Sequence, residues 1–161
     1  MTSSGDSFDF PQAEVFWPGA EGKPGERVFF LAGGVGDEMV YLRCEKQQVA
    51  ALGEYLLALL EDLSPDIEPA TDLGEVTPLP FRWDVGEIGV AYDEPGDRIV
   101  VVLKELVGED DKPATARFGF TRARAKAFAR FALQLVSRGR PDCRFCGLPV
   151  DPQGHACPRM N

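Results

Sequence analysis

Histidine is nearly missing from this chain, because His155 is the only one among 161 residues. Hydrolases built on a Ser-His-Asp or Cys-His arrangement need a histidine as the general base. His155 stands two residues before Cys157, a spacing typical of metal ligands, and we assign it to a metal site instead. The sequence therefore argues against these classes of enzyme.

Long apolar runs are missing as well. The longest lies around Leu56–Leu60, far short of the roughly 20 residues that a membrane-spanning helix needs. Residues 1–9 contain no basic run followed by an apolar stretch, so we expect no signal peptide. We therefore expect that the protein has no membrane partner.

Cationic residues are scarce in the first two thirds of the chain. Residues 1–111 contain 7 Lys and Arg against 24 Asp and Glu, a net charge of −17. Residues 112–161 contain 10 against 2, or +8, and the sum is the −9 of the whole chain. The first part on its own repels nucleic acid. The asymmetry indicates either an anion-binding surface in the C-terminal third or two halves whose charges complement each other in the fold.

The chain does contain a cluster of potential zinc ligands near its C-terminus. Cys143 and Cys146 are followed, after eight residues, by His155 and Cys157. A structural zinc site takes four ligands in a tetrahedron, and three cysteines with one histidine are a standard set. The Cys-x2-Cys spacing forms a tight knuckle, and an i, i+2 pair lies on one face of an extended segment. We therefore predict one structural zinc ion per chain, bound by these four residues.

Other interpretations of the same cysteines stay open. A disulfide between Cys143 and Cys146 would leave Cys157 unpaired. A redox Cys-x-x-Cys pair normally opens a helix, whereas Gly147 and Pro149 follow here. A catalytic metal would need an open coordination position, and nothing nearby offers a general base. Reduced cysteines arranged for metal, without an export signal, favour a cytoplasmic protein.

The fourth cysteine, Cys44, ends a predicted strand and precedes a predicted helix. It is too isolated in sequence to be assigned as a metal ligand, and we expect it to be a small buried hydrophobic residue.

Helical periodicity occurs twice. Apolar residues recur at helical spacing from about Glu45 to Leu63, which predicts an amphipathic helix. A shift of 76 residues gives a second stripe, in a helix for which Thr121 is a candidate N-cap and Pro141 a stop. The stripe positions are, in pairs, Val49 and Ala125, Leu52 and Phe128, Tyr55 and Phe131, Leu56 and Ala132, Leu59 and Leu135, and Leu60 and Val136.

Three segments with strand character precede each helix. They are Glu14–Trp17, Arg27–Leu31 and Glu38–Cys44 in the first half, and Gly89–Tyr92, Arg98–Val102 and Thr115–Phe120 in the second. We predict an α+β fold in which two βββα repeats share an antiparallel sheet or barrel-like core, with a C-terminal zinc knuckle. The predicted parts are a flexible N-terminus (1–11), the first repeat (12–63), a proline-rich acidic linker (64–84), the second repeat (85–140) and the knuckle (141–161).

Basic side chains of the C-terminal third are candidates for binding an anion or a partner. Some lie on or beside the second helix, where cations in the first turn are disfavoured by the helix dipole. Others surround the predicted knuckle and can offset the charge of its thiolates. The candidates are Arg117, Arg122, Arg124, Lys126, Arg130, Arg140, Arg144 and Arg159.

The C-terminal run carries a resemblance to a known family. Cys143-Arg-Phe-Cys-Gly-Leu-Pro149 and Gly154-His155-Ala-Cys157-Pro-Arg159 resemble the signature of an uncharacterised bacterial family of conserved hypothetical proteins. Upstream segments, Arg27–Leu31 among them, fit the family's looser pattern, so the resemblance covers nearly the whole chain. It implies a cytoplasmic bacterial protein, often encoded in a trio with genes that resemble a histidine-phosphatase-type phosphomutase and a phosphoinositide-kinase-like protein. It implies no activity.

These observations favour a non-enzymatic, zinc-stabilised binding or adaptor protein with an acidic or phosphorylated protein partner. The alternative is a nucleic-acid-binding protein that uses the basic second helix and knuckle. A metal-dependent enzyme is the third possibility, because no complete catalytic constellation is visible.

Overall fold

A computed structural model describes residues 5–23, 25–63 and 67–138. It contains seven strands and two helices within those residues, which confirms the predicted mixed α+β class. The strands are β1 (Phe8–Phe10), β2 (Val15–Glu21), β3 (Val28–Val35), β4 (Glu38–Cys44), β5 (Val85–Asp93), β6 (Arg98–Glu105) and β7 (Thr115–Phe120), and the helices are α1 (Lys46–Leu63) and α2 (Arg122–Ser137).

The strands form two sheets, so the prediction of one shared antiparallel sheet or barrel-like core was wrong. One sheet has the order β1-β7-β6-β5 and the other β2-β3-β4, and the described residues form no closed barrel. An isolated bridge pairs Arg43 of β4 with Asp84, the residue before β5. Arg82–Asp84 run beside β4, whereas β5, which follows directly, pairs with β6 in the four-stranded sheet.

The predicted flexible N-terminus, residues 1–11, contributes a strand. β1 runs parallel to β7, with Phe8 opposite Ala116 and Phe10 opposite Phe118. Every other strand pair is antiparallel. The three residues of β1 extend the four-stranded sheet on the side opposite β5.

Local sequence explains where the helices begin. The Thr121 side chain accepts a hydrogen bond from the Arg124 backbone nitrogen at 3.1 Å, as predicted for an N-cap. At the start of α1, the Gln48 side-chain oxygen accepts from the Glu45 backbone nitrogen at 2.7 Å. Each contact satisfies a backbone donor that the helix itself leaves without a partner.

Aromatic side chains fill the space between the helices and the sheets. The Phe16 ring stacks on Phe120 and on Phe128, with centroids 4.7 Å and 4.8 Å apart, and Trp17 stacks on Phe131 at 4.8 Å. All five residues are buried. Burial of a phenylalanine side chain stabilises the fold by about 1.5–3 kcal/mol, so this cluster anchors α2 against both sheets.

The two helices approach each other closely at Gly53. A Cβ atom at this position would lie 3.2 Å from the Ala132 Cβ atom and 3.4 Å from the Ala129 carbonyl oxygen. The apolar stripe of α2 is buried throughout, but Tyr55 of the predicted α1 stripe is 55 % exposed. The apolar stripe of α1 therefore includes a residue, Tyr55, that is not buried in the core.

Residues 67–84, called the strap here, form no helix or strand apart from the bridge at Asp84. The predicted linker is thus packed onto the domain along this length. Ala70 donates to the Ala123 carbonyl at 2.8 Å, and the Trp17 indole nitrogen donates to the Gly74 carbonyl at 2.7 Å. Farther along, the strap covers the outer face of the three-stranded sheet, where Val76 and Phe81 pack on Phe30, Ala32 and Tyr41. Within the described ranges, neither helix has the length and apolar character that crossing a bilayer requires.

Candidate functional site

Arg122, a predicted anion-binding residue, is engaged by the protein itself. Its Nε lies 2.7 Å from Asp97 Oδ1, its Nη2 lies 2.9 Å from the Tyr92 hydroxyl, and its Nη1 donates to the Leu63 carbonyl at 3.2 Å. The Tyr92 hydroxyl also donates to Asp97 at 2.9 Å. Hydrogen bonds from Tyr92 and then Arg122 lower the pKa of the Asp97 carboxyl. Arg122 therefore joins the end of α1, the β5–β6 hairpin and the start of α2.

Arg124 and Lys126 hold the strap. Arg124 donates to the Thr71 carbonyl at 3.0 Å, and its guanidinium lies 5.7 Å from the ring centroid of Trp17. Burial lowers the pKa of Arg124. The Lys126 ammonium donates to the Ile67 carbonyl. These cations in the first turns of α2 satisfy carbonyl groups of a segment that lacks secondary structure of its own.

The remaining predicted site residues fall into two groups. Arg117 and Arg130 are exposed, and neither makes a hydrogen bond or ion pair with the part of the chain that the structure describes. The other candidates, which are Cys143, Cys146, His155 and Cys157 for zinc and Arg140, Arg144 and Arg159 for a partner, lie outside the described residues. Residues 5–23, 25–63 and 67–138 contain no cluster of three potential metal ligands.

The structure shows a groove that the sequence did not predict, between α1 and β5. Its volume is about 540 Å³, and its lining is more apolar than polar. The helix contributes residues at helical spacing, and the strand contributes alternate residues that point to one face. The lining consists of Gln47, Gln48, Ala51, Leu52 and Tyr55 of α1 and Gly86, Ile88 and Val90 of β5.

One wall of this groove is an unpaired strand edge. β5 is a terminal strand of the four-stranded sheet, and Ile88–Tyr92 contains neither a charged residue nor a proline. Terminal strands of natural sheets are usually short, charged, covered or interrupted by proline, because an open edge pairs with other chains. β5 has nine residues and lacks these protections over its central part.

The other three sheet edges are protected. β1 has only three residues, and β2 contains Pro18, which cannot donate a backbone hydrogen bond to a further strand. The edge of β4 is covered by the strap, since Arg82 donates to the Tyr41 carbonyl at 2.9 Å and Arg43 donates to the Trp83 carbonyl at 3.1 Å. Among the sheet edges in the described residues, β5 is therefore the long and open one.

Gln48 closes one end of the groove. Its side-chain nitrogen donates to the Val85 carbonyl at 3.1 Å and to the Gly86 carbonyl at 3.0 Å. The β5–β6 register shifts between Val85 and Glu87, and the irregularity directs both carbonyls towards the helix. The open part of the edge begins after this contact.

Among the described residues, no charged side chain lines the groove itself, but the two segments that form it are acidic. The α1 and β5 segments together contain five carboxylates and one cation, Lys46. Asp62 lies seven positions after Tyr55, on the same face of the helix, because seven residues make nearly two full turns. The carboxylates are Glu54, Glu61, Asp62, Glu87 and Asp93. Lys104 of β6 lies 3.7 Å from Glu87.

A second cavity, of about 360 Å³, lies between β2, the strap and the end of α2. Arg27 donates there to the Leu135 and Arg138 carbonyls at 3.4 Å and 3.3 Å, where cations complement the helix dipole. Arg138 pairs with Glu75 at 3.2 Å. Both arginines of this cavity therefore have partners within the chain, so it offers less to a ligand than the groove.

Sequence reasoning missed the groove because it assigned Tyr55 to the core by periodicity. Tyr55 completes an apolar stripe that includes Leu52 and Leu56, and both of these are buried. A usable signal was present in β5, where the uncharged, proline-free run Ile88–Tyr92 is consistent with an open strand edge. Which strand forms the edge of a sheet is a property of topology, and the sequence pattern alone did not define it.

Comparison with known proteins gives one match. A family model described as "Protein of unknown function (DUF3090)" matches residues 8–157. No curated protein and no solved structure matches the chain.

Proposed function

The chain belongs to this DUF3090 family of unknown function, and from its own geometry we propose that it is a non-enzymatic binding or adaptor protein whose partner docks in the α1–β5 groove. The observation that carries this proposal is the exposed Tyr55 beside the open edge of β5. Apolar pockets with an exposed aromatic side chain and few polar groups are typical of binding sites. Tyrosine is enriched among the residues that dominate binding energies.

Photo-crosslinking from the groove tests the proposed function. A photoreactive phenylalanine analogue at position 55 of the full chain should yield a discrete crosslinked protein in the native host. Leu79 is the matched control position, because it is 57 % exposed against 55 % for Tyr55 and lies on the strap.

Binding of the crosslinked protein, once purified, should then depend on Tyr55. We expect Tyr55→Ala to weaken it by at least about tenfold, as truncation of an aromatic anchor does, and Leu79→Ala to leave it unchanged. Equal crosslinking from both positions, or equal binding by both variants, would contradict the proposal.

A second candidate function uses the basic surface. Arg117 and Arg130 are exposed and uncompensated within the described residues, which favours an acidic or phosphorylated protein partner and, as the alternative, nucleic acid. Binding of nucleic acid would fall with salt by a log-log slope of about −0.9 per phosphate contacted on duplex DNA. Arg117→Glu with Arg130→Glu should abolish either interaction, whereas Arg122 and Arg124 are unsuitable for this test because they hold the fold together.

For the C-terminal region we propose one structural zinc ion bound by Cys143, Cys146, His155 and Cys157. The support is the ligand set and its spacing, together with the burial of Cys44, which is 8 % exposed. Metal analysis of the full chain should find about one equivalent of zinc, as a closed four-ligand site implies. Cys143→Ser should lose the metal and Cys44→Ser should retain it, and equal loss from both variants would contradict the assignment.

We also propose that the two βββα units arose by duplication. The order of three strands and a helix occurs twice, and the helices come close together where Gly53 faces Ala129 and Ala132. Position 129 is position 53 shifted by 76 residues, so the helices cross at equivalent positions, as they would about a pseudo-two-fold axis. An experimental structure in which β4–α1 and β7–α2 do not superpose with this shift would contradict the duplication.

A further inference from the structure

We infer that the groove binds an extended, basic segment of a protein partner as an additional strand beside β5. This inference rests on the proposed binding function and specifies the mode of binding and the chemistry of the partner. Strand addition is a recurring mode of peptide recognition in which main-chain hydrogen bonds supply affinity and pockets for alternate side chains supply specificity.

The backbone of β5 provides the hydrogen-bonding edge. β5 pairs with β6 on one side only, and the described residues supply no strand on the other side. Gln48 already donates to two carbonyls at the beginning of this edge, which shows that acceptors on this side of the strand are accessible to donors. The uncharged run Ile88–Tyr92 offers nothing that would repel a further strand.

Helix α1 provides the pockets. Ile88 and Val90 point to the face of the sheet that carries α1, and Leu52 and Tyr55 form the opposite wall. Side chains of an added strand would alternate between this groove and the outer face. The open edge from Ile88 to Tyr92 spans about 13–17 Å at 3.3–3.4 Å per residue, which fits four to five peptide residues with apolar side chains at alternate positions.

The charge of α1 and β5 indicates which kind of peptide segment binds in the groove. With five carboxylates against one lysine, α1 and β5 carry a net charge of −4. A second copy of this chain docked edge to edge would bring two such surfaces together, and like charges across an interface are costly. An incoming strand with lysine or arginine between its apolar residues complements the same surface.

A defined peptide tests strand addition on the full chain. The probe is an acetylated heptapeptide in which valine alternates with lysine or arginine. Its controls are a peptide of the same composition with adjacent valines and a peptide with glutamate in place of the cations. We expect only the alternating basic peptide to bind, and we expect it to protect from exchange those amide protons of residues 87–93 that do not bond to β6.

N-methylation separates strand addition from other docking modes. Methyl groups on every second peptide nitrogen block one edge of an extended peptide only. One of the two possible methylation patterns should therefore weaken binding by at least about tenfold, since it removes the main-chain hydrogen bonds that carry this mode, and the other should leave binding unchanged. If the peptide binds in a Tyr55-dependent way and both patterns bind equally, strand addition is wrong while the groove remains a binding site.

Two matched pairs of variants locate the peptide. Tyr55→Ala should abolish binding and Leu79→Ala should not. Asp62→Lys should weaken binding by about two- to fivefold, as expected for an exposed charge pair, whereas Glu61→Lys, its neighbour on another face of the helix, should have less effect.

Other occupants would overturn the inference in recognisable ways. A Tyr55-dependent dimer in light scattering would assign the groove to a second copy. Protection, without peptide and in a monomer, of the amide protons of residues 87–93 that do not bond to β6 would assign the groove to the protein's own chain. If the peptide does not bind at all while the position-55 crosslink persists, the adaptor function stands and the basic extended partner is wrong.

Discussion

Arg122 illustrates how the partners of a charge decide its role. Composition marked it as a candidate for an external anion, and the helix dipole made a cation in the first turn of α2 costly. In the structure, Asp97, the Tyr92 hydroxyl and the Leu63 carbonyl surround its guanidinium. Those partners lie 25, 30 and 59 positions away, so a local reading of the sequence could not identify them. Arg124 is a similar case, because its partner is the Thr71 carbonyl.

The ionisation of Asp97 should make the stability of the folded protein depend on pH. Its pKa is lower in the folded protein because Tyr92 and Arg122 donate to its ionised form. The stabilisation is therefore fully present above the pKa of an unfolded aspartate, about 3.9, and is lost as the pH falls through the lower folded pKa. Asp97→Asn should reduce the urea midpoint at pH 7 and flatten its decline below pH about 4.

Asparagine suits this test because it tolerates the positive φ of 50° at position 97. Asp110→Asn, in the exposed loop after β6, is the control and should leave the pH profile of the midpoint unchanged. An acid decline of the same steepness in Asp97→Asn and the unmodified protein would contradict the role of this carboxyl.

Cys44 should be chemically inert in the folded protein. Burial raises the pKa of its thiol to about 12, and the thiolate is the reactive form. Iodoacetamide at pH 8 should therefore leave Cys44 unmodified in native protein and modify it in urea, as measured by peptide mass spectrometry. Rapid native labelling at Cys44 would mean that the segment at the end of β4 opens readily.

At the scale of elements, the contact between α1 and α2 depends on a small side chain at Gly53. Glycine costs about 1 kcal/mol relative to alanine inside a helix, so its presence needs a packing reason. The 3.2 Å distance from a Cβ at this position to Ala132 supplies that reason.

Gly53→Leu should separate the helices and lower the free energy of unfolding by about 1–3 kcal/mol, as overpacking of a well-packed core does. The measurement is urea unfolding followed by circular dichroism. Ala58→Leu is the control on the exposed face of the same helix and should change stability by less than about 0.5 kcal/mol. A stability of Gly53→Leu equal to that of the control would show that the helices are not in close contact at this point.

Most helices and strands could be predicted from the sequence because the apolar periodicity of an element reflects which of its faces is buried. β4 and β7 have the predicted bounds, and α1 begins within one residue of the predicted start, since alternation and helical spacing report which face is buried. β1 was missed because three residues carry too little pattern and their partner is β7. The division of the strands into two sheets was also missed. It depends on where the strap leaves β4, and local sequence patterns do not report that position.

At the scale of the whole molecule, we expect the core of the described residues not to depend on the predicted zinc ligands. The Phe16 ring lies 5.3 Å from that of Phe118 and 4.8 Å from that of Phe128, and all three side chains are fully buried or nearly so. Chelation of zinc from the full chain should therefore change amide exchange after about residue 139 and leave exchange in both sheets unchanged. Unfolding of the sheets by a chelator would show that the core needs the metal to stay folded, and it would contradict this prediction.

The charge asymmetry has a whole-molecule explanation in part. Arg122, Arg124 and Lys126 of the basic third meet groups from earlier in the chain, as expected for two halves that complement each other. Two of those three contacts are to backbone carbonyls of the strap, and the carboxylates that pair with this basic third are Asp97 and, through Arg138, Glu75. Charge complementarity between the two halves therefore explains only some of these contacts, because several of the basic side chains bind backbone carbonyls and not carboxylates.

The pairing of β1 with β7 has a consequence for the order of folding. Phe8 and Ala116 are neighbours in the sheet but 108 positions apart in the chain. Closing so long a loop costs entropy that only the completed sheet can offset, and structures rich in such remote contacts fold slowly. During synthesis, β1 emerges before β6 and β7 and has no strand to pair with until they follow, so Phe8 and Phe10 lack their sheet contacts until then. We therefore expect β1 to dock only after β6 and β7 have paired.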